Sequence, residues 1–424
     1  MWLSDGTAAG TRAVGSARSV AQLVAADDAL FFRADGMLWR SDGGDQGTHP
    51  IPTDETVAEL VPAGTTLLYR DDTTLVRYAS DGNVPLASIV DVRDATSVGG
   101  MLFFVAAPAD RPQNRELWVS DGTAAGTRMV DLRPGDRGAD PGPLVAGRDR
   151  VYFAADDGRH GRNLWTSDGS LAGTTLVKDV LGDAGGFLSV SDLVSVPPHL
   201  FFTVGADSWW QLWVSDGTAG GTLPVRDFEG PPRLARAGGR AFLAASDRAV
   251  GLELWTSDGT PGGTALVADI NPGAPWSSPW PLADAGGRLA FQACEDGAGC
   301  EIWLSDGSAA TTIRAGDIAA GPASADVRSC AATDALLFCS ANDQVHGSEL
   351  WAIPLSTPAS CPGDCDANGR TSIDEVVVAI EALLGRRAVA ACRAADGDHD
   401  GVLSVDEVVR SLRSALRGCP LRDR

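Results

Sequence analysis

The sequence predicts an all-β propeller of about eight four-stranded blades, followed by a small α-helical pair of EF-hand loops, on three observations. First, a twelve-residue motif, seen best as Glu116-Leu-Trp-Val-Ser-Asp-Gly-Thr-Ala-Ala-Gly-Thr127, recurs from the first residues to residue 351. Its anchor aromatics are Trp2, Trp39, Tyr78, Trp118, Trp165, Trp213, Trp255, Trp303 and Trp351, separated by 37, 39, 40, 47, 48, 42, 48 and 48 residues, a period that marks a repeat architecture. Second, the chain between anchors holds only short apolar runs broken by Gly- and Asp-rich turns, with no room for helices. Third, the pattern stops at a Pro-rich stretch, 354–362, and apolar spacing then becomes helical.

Each copy carries its own mechanism. Leu-Trp-x is a short apolar strand, and the Ser-Asp-Gly behind it is turn chemistry, because Asp bonds its own backbone two residues on and Gly accepts positive φ. Thr-x-x-Gly-Thr then leads into a second run, so the motif predicts a β-hairpin with a Gly-containing loop. In the clearest copy the strands are Leu144–Ala146, Val151–Ala155, Asn163–Thr166 and Thr175–Val180, a four-stranded meander of the kind that forms one blade. Equivalent second strands occur around Phe31, Phe103, Phe201, Phe242, Phe291 and Phe338, and the copy near Leu67-Leu68-Tyr69 is the most degenerate. The last copy lacks a fourth strand while Thr11–Val14 is an orphan fourth strand; pairing them would close an eight-bladed ring and hide two open edges. A seven-bladed or open arrangement is the alternative.

The repeat resembles the ELWxxDGT family of mostly exported bacterial proteins over nearly all of residues 1–355. Its fuller form is matched best by Asp157-Gly-Arg-His160-Gly-Arg-Asn163-Leu-Trp165 and by Val345-His346-Gly-Ser-Glu349-Leu-Trp351.

Composition narrows the function. The 424 residues carry 34 basic and 56 acidic side chains, a net charge of −22, which excludes non-specific nucleic-acid or anionic-membrane binding and suits cations or plain solubility. No apolar run reaches the ~20 residues needed to span a bilayer. No leader is visible, yet Met1 stands one residue before an anchor Trp, so the natural start and export signal are expected upstream. Eight cysteines fit disulfides in an oxidising compartment, Cys294 with Cys300 and Cys330 with Cys339 by spacing. Cys361, Cys365, Cys392 and Cys419 remain to clasp the C-terminal domain, with connectivity open and zinc the rival reading.

Residues 356–360 form a linker to a C-terminal domain, 361–424, which carries the one constellation with definite chemistry. Two twelve-residue loops place Asp364, Asp366, Asn368, Arg370, Ser372 and Glu375, and Asp396, Asp398, Asp400, Val402, Ser404 and Glu407, at positions 1, 3, 5, 7, 9 and 12. Ca²⁺ takes six to eight hard oxygen ligands from these positions, with a backbone carbonyl at 7 and a bidentate Glu at 12, and Gly369 and Gly401 permit the sharp turn at 6. Two Ca²⁺ ions are therefore expected, and the mutual repulsion of the carboxylates makes metal binding a driver of folding. Each loop is followed by an amphipathic helix, and the Pro-interrupted entry leaves no helix before the first. Loop-then-helix, twice, resembles the dockerin-like modules of exported bacterial proteins over residues 361–419, in which loops and exit helices form a docking surface. Ile373-Asp374 and Val405-Asp406 depart from the small hydroxyl pairs of cohesin-binding members.

No catalytic residue is identified. His160 and His346 occupy one repeat position and are expected in turns, and His399 is at a non-liganding loop position. Trp209-Trp210 and Trp276 with Trp280 are expected in core or blade-edge packing, with stacking on sugars or a partner the alternative. The recurring Asp of Ser-Asp-Gly is expected to serve its turn. The function these residues imply is an extracellular or cell-surface, non-catalytic, calcium-binding interaction protein that meets a protein or polysaccharide at the cell envelope. The alternative is a carbohydrate-active hydrolase with a dockerin-like tail.

Overall fold

A computed structural model describes residues 1–26, 29–53, 56–63, 66–79, 82–182, 188–207, 209–272, 276–355 and 373–386, with 392, 395, 402–405, 407–409, 411 and 412. The chain divides into two units, Met1–Ala331 with Cys339–Trp351, and Ala332–Phe338 with Ala352–Arg424. Among the described residues no helix is long and apolar enough to cross a membrane.

The repeat region is β throughout, in antiparallel sheets whose strands follow chain order. Val145–Ala146, Val151–Asp156, Arg162–Ser167 and Thr175–Lys178 form one four-stranded sheet, the four runs expected. Four other sheets repeat this order. Two copies are fused: the long strand Val84–Val98 pairs with Thr74–Arg77 through its first half and with Met101–Pro108 through its second, giving one seven-stranded sheet. Register shifts, and positive φ at Asp91 and Asp94, bend the strand where separate strands were expected. The degenerate copy is complete, with Val57–Ala63, Thr66–Asp71 and Thr74–Arg77 before that strand.

The last sheet has three strands, Ser329–Ala332, Leu336–Asn342 and Ser348–Pro354. The expected pairing of Thr11–Val14 with it is not formed. Arg12–Ala13 pairs instead with Trp2–Leu3, because the Ser4–Thr11 turn makes that contact local and cheap in loop entropy.

Strand alternation builds the core between sheets rather than within them. Phe104 and Trp118 pack with Leu68 and Leu75 of the preceding copy, while their neighbours Phe103 and Val119 pack with Phe153 and Trp165 of the next. Within a sheet, Phe32, Phe104 and Phe202 lie directly opposite Trp39, Trp118 and Trp213 and stack at centroid distances of 5.9, 6.2 and 6.0 Å.

Consecutive copies are in contact through the strands that open them: Val57–Ala63 with Val84–Val98, then Val145–Ala146, Ser189–Val196, Arg233–Ala237 and Trp280–Ala285 in series. These strands run the same way, since Arg233 lies over Trp280 where two of them begin and Gly238 meets Gly287 where they end. Each sheet therefore presents its Ser-Asp-Gly turn at one end and the hairpin between its second and third strands at the other. Cations stitch neighbours together: Arg12 donates to Gly43 O (2.9 Å), Arg128 to Gly169 O (3.0 Å) and Lys178 to Thr222 O (2.7 Å). Both disulfides read from spacing, Cys294–Cys300 and Cys330–Cys339, are present.

In the second unit, helix Ile373–Leu383 buries Val376, Ala379 and Ala382. Ala379 and Ala382 pack with Cys392, Ala395, Leu403 and Val408. Ile373, Val377, Ile380 and Leu384, also part of the apolar spacing, are exposed. Helical residues recur at 405, 407–409, 411 and 412.

Candidate functional site

The metal loops come first, because hard-oxygen clusters are the sequence's clearest chemistry. Asp364, Asp366, Asn368, Arg370, Ser372, Asp396, Asp398 and Asp400 lie outside the described residues, and Glu375, Val402, Ser404 and Glu407 lie within them. Glu375 sits in the first turn of its helix and is buried, and Glu407 is buried too. Glu407 Oε2 accepts the Ser404 N–H and hydroxyl, each at 2.8 Å, while Ser404 Oγ accepts the Glu407 N–H at 3.3 Å. This reciprocal capping box starts the second helix and fixes the carboxylate of loop position 12 relative to position 9. Buried carboxylates at both position-12 places fit a hard cation such as Ca²⁺. Cys392 is disulfide-bonded, to a partner outside the described residues.

In the repeat region most acidic groups serve the fold. Asp121 Oδ1 accepts the Thr123 N–H (2.9 Å) and hydroxyl (2.6 Å), Thr123 Oγ1 accepts the Gly126 N–H (3.0 Å), and Ser120 and Thr127 hydroxyls meet at 2.7 Å. The same bonds recur at Asp168, Asp216 and Asp258, and they hold all four carboxyls below the usual Asp range. A Cβ on Gly126 would stand 2.0 Å from Asp121 Oδ1, so the motif's last Gly makes room for the Asp. Where Thr311 replaces that Gly, the turn tightens into a 3₁₀ segment, Ala309–Thr311, and the Thr311 hydroxyl itself bonds Asp306.

Sequence reasoning missed the role of the motif's Glu. Glu116, Glu253 and Glu301 are fully buried. Glu116 accepts the N–H groups of Leu132, Arg133 and Ala139 at 3.2, 3.0 and 3.0 Å. Glu253 takes those of Ile270 and Ser277, and Glu301 those of Ile318 and Ala319. Each carboxylate thus closes the connection that leaves its own sheet. Burial pushes Glu116 up to about 7 against the pull of these donors, and raises Glu253 and Glu301 too. The signal was a charged residue two positions before Trp, on the same side of the strand.

His160 and His346 are in turns, with Nδ1 2.8 and 2.6 Å from Asp157 and Asp343 Oδ2. The backbone N–H of His346 holds Asp343 down to about 2, and that carboxylate in turn raises His346. Of the readings open for the tryptophans, burial in the core does not hold. Trp209, Trp276 and Trp280 are 43%, 60% and 48% exposed, and Trp210 is half-buried.

No protein-family model matches the sequence, and no curated protein matches it. Among solved structures the chain is similar to puromycin hydrolase, at 18% identity and a TM-score of 0.41, covering 80% of this chain and 60% of that one. YCF48 from Cyanidioschyzon merolae is similar at 10% identity and a TM-score of 0.38, over 79% and 94% of the two chains. An oligogalacturonate lyase in complex with manganese is similar at 11% identity and a TM-score of 0.38, over 66% and 87%. The chain spans 51 to 60% of the length of puromycin hydrolase.

Proposed function

We propose that this chain is an exported, non-catalytic, calcium-binding interaction protein. Its repeat region is an ELWxxDGT propeller of about eight blades that displays a binding surface, and its C-terminal domain is a dockerin-like EF-hand pair that attaches it to the cell envelope when two Ca²⁺ ions are bound. The observation that carries the reading is the pair of calcium loops in the sequence, each ending in a buried Glu, Glu375 and Glu407, at the head of a helix. In this reading those two carboxylates hold the ion in bidentate fashion, while Ser404 orients Glu407 and starts the helix behind it. The series of adjacent first strands supports the propeller. Arg12 bonding Gly43 as Arg128 bonds Gly169 supports the N-terminal hairpin as the neighbour of the sheet that follows it, placed as one blade is to the next. The disulfides support an oxidising, extracellular setting.

Calorimetric titration of the full chain with Ca²⁺ tests this reading. Two ions per chain and a gain of helical circular dichroism are expected, both lost in the Glu375→Ala, Glu407→Ala double variant. An unchanged titration in that variant removes the calcium assignment.

A further inference from the structure

Large apolar side chains left in water on a rigid surface call for an explanation. Trp209 stands in the hairpin between the second and third strands of its sheet, Ala206 pairing with Trp209. Glu229, paired with Trp209 across the sheet, forms an ion pair with Arg248 in the corresponding hairpin of the next sheet. Gly251 closes that hairpin, and a Cβ there would stand 2.5 Å from Trp276 Cδ1, so the glycine leaves room for the indole. Trp280 begins the first strand of the following sheet, with the Arg233 guanidinium 3.9 Å over its ring. All three indoles therefore lie at the end of the sheets opposite the Ser-Asp-Gly turns, over three consecutive sheets.

The segment between Trp276 and Trp280 is tied down. Ser277 N–H and hydroxyl donate to the buried Glu253 at 3.0 and 2.5 Å, and Ser278 N–H donates to Leu252 O at 3.2 Å. Cys294 N–H donates to Ser277 O at 2.7 Å, from a hairpin that the Cys294–Cys300 disulfide staples. Trp276 and Trp280 are thus exposed on a backbone that is held in place, which lowers the entropy cost of receiving a ligand.

The structure assigns this strip, we infer, to a neutral polysaccharide chain of equatorially substituted pyranoses such as a β-1,4-glucan, an assignment that rests on the repeat region being a binding platform. Such rings present axial C–H groups on both faces, and these complement the negative face of an indole. Polar groups beside the indoles, among them Arg233, which covers one face of Trp280, and the Arg248–Glu229 pair, suit hydroxyl hydrogen bonds and break the continuous apolar patch that a protein partner would bury. An acidic glycan is disfavoured, because Arg248 is paired with Glu229 and the chain carries −22 overall.

Affinity electrophoresis of the full chain in gels containing hydroxyethyl cellulose or polygalacturonate tests the assignment, beside a pull-down on cell-envelope extract. Retardation by the neutral glucan alone is expected. Trp276→Ala and Trp280→Ala should each weaken it about tenfold, the scale of one stacking contact, with Trp276→Phe retaining part of the binding and melting temperatures unchanged. Equal retardation of the Trp209→Ala, Trp276→Ala, Trp280→Ala triple variant overturns the assignment, as does self-association through these residues without glucan binding. Envelope capture without glucan retardation overturns the assignment but leaves the platform reading standing, and loss of both overturns both.

Discussion

The repeat region and the C-terminal domain use carboxylates in opposite ways. In the repeats the motif's acidic groups are satisfied by their own copy: Asp121 by Thr123, Glu116 by the N–H groups of the connection that follows. Nothing further is needed for the β sheets to form. In the C-terminal domain the sequence concentrates Asp364, Asp366, Asp396, Asp398 and Asp400 within two short stretches, and in the proposed reading a bound cation offsets their repulsion. Under the proposed function an acidic composition has two physical meanings, one closed by backbone donors and one that awaits an ion.

The sharpest way to break the contrast is to remove a satisfied carboxylate. Glu116→Ala leaves one buried and two part-buried N–H groups without their acceptor and should cost roughly 3 kcal/mol, read by chemical denaturation of the full chain. Glu116→Gln, which keeps one acceptor oxygen, should cost less, and Asn163 already fills the equivalent place, its Oδ1 accepting the Val180 N–H at 3.0 Å. A smaller effect separates two adjacent glycines. A Cβ on Gly221 would lie 2.1 Å from Asp216 Oδ1, whereas one on Gly220 meets nothing within 4 Å. Gly221→Ala should therefore destabilise by about 1–3 kcal/mol and Gly220→Ala by less than about 0.5 kcal/mol.

The smallest effect is on pH dependence. Glu116 has its folded pKa raised from 4.5 to about 7, so its contribution to stability is fully present below pH 4.5 and is lost as pH rises through about 7. The turn aspartates have the opposite sign: their carboxyls are lowered from 3.8, so their contribution is present above that value and lost on acidification. Melting of the repeat region should fall between about pH 4.5 and 7 and level off above, and the fall should shrink in Glu116→Gln. An equal fall in that variant places the titrating groups elsewhere.

Much of this arrangement was legible in the residues. The four runs between Leu144 and Val180 became strands within a residue or two, because alternation and turn chemistry are local signals. The Ser-Asp-Gly-Thr network was legible for the same reason. Glu116 was not, since its donors lie 16 to 23 residues away in an irregular connection. The pairing of Arg12–Ala13 with Trp2–Leu3 was missed because a local hairpin competed with a distant edge.

Hydrogen exchange of the full chain, with and without Ca²⁺, tests the difference between the two regions most directly. Peptides from 361–424 should gain protection when the ion is added, while those from the repeats around Glu116, Asn163 and Glu253 stay unchanged. Equal protection of the C-terminal peptides in chelator would contradict the account.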